Sequence, residues 1–113
     1  MGLANIEPNI YGSVQPTSQT WTVVTRIDGV SNAFVNLFIS AKVEQDRVRV
    51  AVKPRAEVLN AKHYILYDTP ISEDVPLQIS NIGLNSNDEI QVWSLQGATA
   101  FNVTGVTLVN LLS

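Results

Sequence analysis

Apolar and polar residues alternate with a period of two along most of this chain, the spacing of a strand with one buried face. "QTWTVVTRI" (19–27) sets Trp21, Val23, Thr25 and Ile27 against Thr22, Val24 and Arg26, and Asp28-Gly29 then supplies a turn. In "NAFVNLFISA" (32–41) Val35, Leu37 and Ile39 share one face and Phe34, Asn36 and Phe38 the other. Both faces are partly apolar, which predicts a central strand. "RVRVAVK" (47–53) points Val48, Val50 and Val52 inward and Arg47, Arg49 and Lys53 outward, and Pro54 ends it. "HYILYD" (63–68), "LQISNIGL" (77–84), "EIQVWSL" (89–95) and "AFNVTGVTLV" (100–109) complete the series, with Gly105 read as a bulge or bend in the last.

Between these strands lie a charged loop "KVEQD", the segment "RAEVLNA" (55–61), read as an irregular crossing, the Pro-punctuated "TPISEDVP", and turns at "NSND" and "QGAT". About seven or eight short strands without an amphipathic helix predict an all-β fold, a single antiparallel β-sandwich of jelly-roll or Ig-like type. Residues 19–113 form that domain. Residues 1–18 are read as an extended N-terminal arm, because Ile6, Ile10, Tyr11 and Val14 are too sparse among polar residues and two prolines to pack on the domain. Those four are the candidate interface residues, suited to anchoring the arm on a neighbouring subunit.

A chain of 113 residues fits one such domain. Apolar residues are 45% of it and charged residues only 15%, below the usual quarter, so much of the surface is uncharged. That composition suits a subunit that covers its faces with neighbours, and equally a surface of Ser, Thr, Asn and Gln. All seven basic residues (Arg26, Lys42, Arg47, Arg49, Lys53, Arg55, Lys62) precede His63, and no base follows it. This polarity either draws subunits together head to side or is balanced inside the fold by cross-strand pairs. With Glu44, Asp46 and Glu57 in the basic stretch and a net charge of −3, no nucleic-acid partner is expected. The N-terminus lacks the basic and apolar regions of a secretion signal, Ile6 replaces the Ser or Thr of a myristoylation signal, and no apolar run is bilayer-length. The reading is of a soluble, unprocessed protein with no membrane partner.

Catalytic chemistry has few places to reside. The single histidine, His63, shares a predicted strand face with Ile65 and Tyr67, and Asp68 falls on the opposite face, so the two do not form a local pair. No "GxSxG" presents a serine. With no cysteine and one histidine, a zinc site is excluded, and "NSNDE" (85–89) lacks the ligand spacing of a calcium loop and reads as a turn. No catalytic, metal or cofactor residue is assigned, and the chain is not expected to be an enzyme. Trp21, Trp93, Tyr11, Tyr64 and Tyr67 would form a sugar-binding platform only if two or more lay exposed and coplanar. Core or interface anchoring is the expected role of such aromatics.

The run from "RVRVAVK" through "KHYILYDTPI" (62–71) and "IGLNSNDEIQVWS" to "FNVTG" resembles small structural proteins recurrent in tailed-bacteriophage virions. The resemblance covers residues 20–109, and "KHYILYDTPI" is its most specific part. Where related sequences often place glycine before the hairpin aspartate, this chain has Asn87, which also tolerates a left-handed backbone. The resemblance implies a virion structural protein made in the host cytoplasm, a cement or decoration subunit on the head surface. Implied partners are the major capsid protein or other virion proteins and further copies of the chain, as a trimer. A tail, neck or fibre module touching host glycans is the alternative, and a cellular sugar-binding domain a third.

Overall fold

A computed structural model describes the backbone of residues 4–29 and 31–110 and the side chains of residues 11–29 and 32–108. The strands are β1 (Ala4–Val14), β2 (Thr22–Arg26), β3 (Ser31–Ala41), β4 (Asp46–Lys53), β5 (Tyr64–Ile71), β6 (Leu77–Leu84), β7 (Glu89–Ser94) and β8 (Thr99–Asn110), with a 3-10 turn at Ala61–His63. They form two four-stranded antiparallel sheets, ordered β1-β8-β3-β6 and β2-β7-β4-β5. The pairs β1–β8, β2–β7, β3–β6 and β4–β5 are those of one long eight-stranded hairpin, and β3–β8 and β4–β7 roll it into a sandwich. Of the two topologies expected, this is the jelly roll.

The seven strands read from the hydrophobic pattern are all present, and β3 is central, as its two apolar faces require. The core gathers Val35, Leu37 and Ile39 of β3 with Val48 and Val50 of β4, Ile90 and Val92 of β7, and Phe101 and Val103 of β8, all fully buried. Burying each such side chain stabilises the fold by roughly 1.5–3 kcal/mol. In β2 a register shift between Val23 and Thr25 breaks the alternation. Val24, and not Val23, therefore joins Thr25 and Ile27 on the buried side, so the grouping read from the alternation fails at Val23 and Val24.

Residues 4–14 correct the reading of an arm. They are the edge strand β1, paired along β8 from Ala4↔Asn110 to Val14↔Phe101. The expectation weighed side chains, whereas this pairing is made by backbone groups and satisfies an edge that β8 would otherwise leave open. An edge also accommodates Pro8. The following linker is pinned as well: Gln15 Nε2 donates to the Gly97 carbonyl at 2.9 Å, Ser18 Oγ to Leu95 at 2.7 Å, and the Gln19 amide to Ser94 at 2.8 Å. Tyr11 and Val14 pack against this domain's own core. Ile6 and Ile10 pair through their backbones with Leu108 and Thr104; their side chains lie outside the described residues.

Gly105, read as a bulge or bend, itself pairs in register with Asn9 and with Val35, and the β1–β8 register shift falls on β1, between Ile10 and Gly12. A Cβ there would stand 2.2 Å from the Phe34 carbonyl oxygen. Close approach of two backbones, and not a bulge, selects glycine at this position.

Candidate functional site

Three groups of polar or aromatic residues are built by this fold, two at its corners and one across a face. The first is centred on Asp46, which opens β4 and is buried. Its carboxylate accepts from Ser94 Oγ at 2.5 Å, Thr99 Oγ1 at 2.6 Å, the Arg47 amide at 2.8 Å and the Gln96 amide at 2.9 Å. Burial pushes this carboxyl up, but the bonds from Ser94, Thr99, Gln96 and Arg47 together outweigh it and hold the pKa below its ordinary value. The arrangement ties the β7–β8 turn to the start of β4. The sequence pattern puts Asp46 in a charged loop, and nothing in "KVEQD" marks it as the acid that turns inward.

The second corner holds His63. Its Nδ1 accepts from the Asn60 amide at 3.0 Å, so Nε2 carries the proton and donates to Glu57 Oε1 at 3.2 Å. Lys62 Nζ stands 3.1 Å from the same oxygen, and the bonds from Lys62 and then His63 lower the Glu57 pKa. His63 is thus the closing residue of a capped 3-10 turn, with both ring nitrogens engaged, and not the first residue of a strand. His63→Gln is expected to cost about 1 kcal/mol of stability, the order of one lost hydrogen bond, and to leave binding to any partner unchanged. Chemical denaturation beside a binding assay checks both.

The third group runs across the outer face of the β2-β7-β4-β5 sheet. Trp21 stacks on Tyr64 at 5.4 Å between centroids, and Tyr64 on Tyr67 at 5.2 Å, with interplanar angles of 21° and 17°. The Arg49 guanidinium then lies 4.3 Å from the Tyr67 ring and 4.0 Å from that of Trp93. Tyr64 and Tyr67 share a face, contrary to the alternation expected, because β5 carries an extra residue against β4 between Val50↔Leu66 and Ala51↔Tyr64. At a second bulge of β5, between Val48↔Thr69 and Val50↔Leu66, Asp68 adopts φ 51° and meets Arg49 Nε at 2.7 Å. The Asp68 bond raises the Arg49 pKa, so the guanidinium stays charged.

Arg49 is accordingly more than an outward-facing charge. Arg49→Gln is expected to cost about 1–2 kcal/mol, from two cation–π contacts and one partly exposed ion pair, and Arg49→Lys to recover only part of it. Urea midpoints of the three proteins measure this. The stack also bears on the sugar platform: two rings cannot occupy one side of Tyr64, so Trp21 and Tyr67 cover both its faces. The rings are stacked on one another and not laid side by side, and the coplanar exposed surface that a platform needs is not formed.

Nearby, Glu89 is buried between Arg26 at 3.5 Å and Lys53 at 3.7 Å. With Arg49–Asp68, these cross-strand pairs balance charge inside the fold, one of the two outcomes expected of the uneven charge distribution. In the β6–β7 turn Asn87 has φ 67°, as its glycine-like position requires, and Asp88 accepts from the Asn85 and Arg55 amides. "NSNDE" is therefore a turn but not a hairpin: it crosses from one sheet to the other, because β6 pairs with β3 and β7 with β2 and β4.

A cleft of about 620 Å³ lies at the Asp46 end, lined by Val43, Pro70, Ile71, Val75, Pro76 and Leu77 among others. Among the described residues Glu44 is the one ionisable side chain on its wall, and these residues hold no acid–base pair. Among the described residues no three His, Cys, Asp or Glu side chains gather as metal ligands, and no helix is long and apolar enough to cross a membrane. Large apolar side chains do face solvent on both sheets: Phe34 and Phe38 on one, Val23, Ile65 and Tyr67 on the other. Comparison of the sequence with protein-family models finds no match, and neither does comparison with curated proteins.

Proposed function

We propose that this chain is a non-enzymatic structural subunit of a tailed-phage virion, acting as a cement on the head surface. The observation that carries the reading is the placement of its side chains. The corner networks of Asp46 and His63 hold strands and turns to one another, while Phe34, Phe38, Ile65 and Tyr67 remain exposed on the outer faces of the sandwich. Exposed aromatic and aliphatic groups on a rigid scaffold are the means of a protein that works by contact. Jelly rolls serve in viral capsids as well as in lectins, and fold alone does not choose between them. The resemblance of "KHYILYDTPI" and its flanks to phage virion proteins favours the capsid.

As a cement, the subunit bridges neighbouring capsid proteins and buries apolar area, at roughly 25 cal/mol per Å², that the shell alone leaves wet. Because it binds the assembled shell and not its separated parts, it shifts the balance toward the intact particle. The test is addition of purified protein to heads made without it. Saturable binding, with DNA release moved to higher temperature, is expected. Binding to isolated tails and none to heads would instead assign the chain to the tail, neck or fibre.

A further inference from the structure

Charge is segregated by sheet in this molecule. β3, β6 and β8 contain no Asp, Glu, Lys, Arg or His, and β1, at their edge, contributes only Glu7. Every strand of the other sheet carries a charged residue: Arg26, Glu89, Asp68, and four on β4. On the outer side of the neutral sheet, Phe34 sits opposite Val106, Asn36 opposite Thr104, and Phe38 opposite Asn102. Phe34 is 52% and Phe38 37% exposed, on a central strand where solvent is otherwise met by amides, hydroxyls and small side chains. A surface with aromatic groups at its middle and no charge on β3, β6 or β8 has the composition of an interface core.

We infer that this face is covered by the same face of a second copy, in a two-fold, isologous pairing. The choice of occupant follows from charge and area. A charged partner surface would lose its hydration against a face with no counter-charge to offer, and the opposite sheet of this chain is such a charged surface. The β1-β8-β3-β6 face is the neutral one, so its match on another copy is itself. Four strands of up to 12 residues span roughly 36 by 19 Å, or about 700 Å² in projection. That is close to the ~800 Å² per partner of a stable assembly. Two such sheets pack face to face about 10 Å apart, with Phe34 and Phe38 between them. The pairing does not depend on the virion reading.

The experiment is sedimentation equilibrium of the full chain across the micromolar range. It should give a mass of two chains, with a dissociation constant nearly indifferent to salt, because no charge is neutralised on pairing. Phe34→Glu and Phe38→Glu should weaken association by about thirty-fold or more, the effect of losing a central aromatic contact. Circular dichroism should show both variants folded, and Phe34→Ala supplies the same reading if a glutamate variant fails to fold. Ile65→Glu, on the other sheet, should leave the pair intact. A monomer throughout, a mass of three chains, a pair indifferent to Phe34, or steep weakening by salt would overturn the inference.

Discussion

Asp46→Ala should lower the stability of this protein by about 3–5 kcal/mol, a large part of the 5–15 kcal/mol that holds a small domain. The substitution removes one buried carboxylate but strands four donors: the Ser94 and Thr99 hydroxyls and the Arg47 and Gln96 amides. It also frees the β7–β8 turn from β4, at the end of the sandwich where the 620 Å³ cleft opens. Urea unfolding should show the midpoint falling with little change in slope. Acid dependence gives a separate check. Because the folded pKa of Asp46 is depressed, its contribution is fully present above the unfolded value near 3.9 and is lost as pH falls through the lower folded value. Asp46→Asn should therefore lack that part of the wild-type loss of stability below about pH 4.

Val50→Asp should be at least as damaging. Val50 is fully buried on β4, between Val92 of β7 and Leu66 of β5, apolar side chains that offer a carboxylate no hydrogen bond. Such a group either stays charged without a partner or takes up a proton, and either way costs several kcal/mol. The variant should be largely unfolded at 25 °C, whereas Arg49→Gln, one residue earlier on the opposite face, remains folded. Thermal melts of the pair compare the two faces of one strand, and equal melting temperatures would mean that the inward face of β4 is misassigned.

The difference between these two residues was legible from "RVRVAVK", since a period of two needs no knowledge of neighbours. The same holds for β3, whose two apolar faces announced a central strand. What the pattern did not carry was register. One extra residue in β5 puts Tyr64 and Tyr67 on a common face, and a shift in β2 turns Val24 inward in place of Val23. Both depend on which strand lies alongside, and no local signal encodes that. β1 was missed for a related reason: its pairing with β8 is made by the backbone, which a polar sequence hides. The Asp46 network needs Ser94, Gln96 and Thr99 from the far end of the chain. The neutral sheet, in contrast, was readable as three charge-free stretches, 31–41, 77–84 and 99–110, but only the strand order shows that they are neighbours.

The proposed role places this chain in a phage particle as a cement on its head. Cryo-electron microscopy of purified virions, with and without an added tag on the chain, tests it most directly. Jelly-roll density is expected at regular positions on the outer head surface, contacting the major capsid protein and enlarged by the tag. Intact, fully occupied heads with no such density, and no copy of the chain in the purified particles, would contradict it.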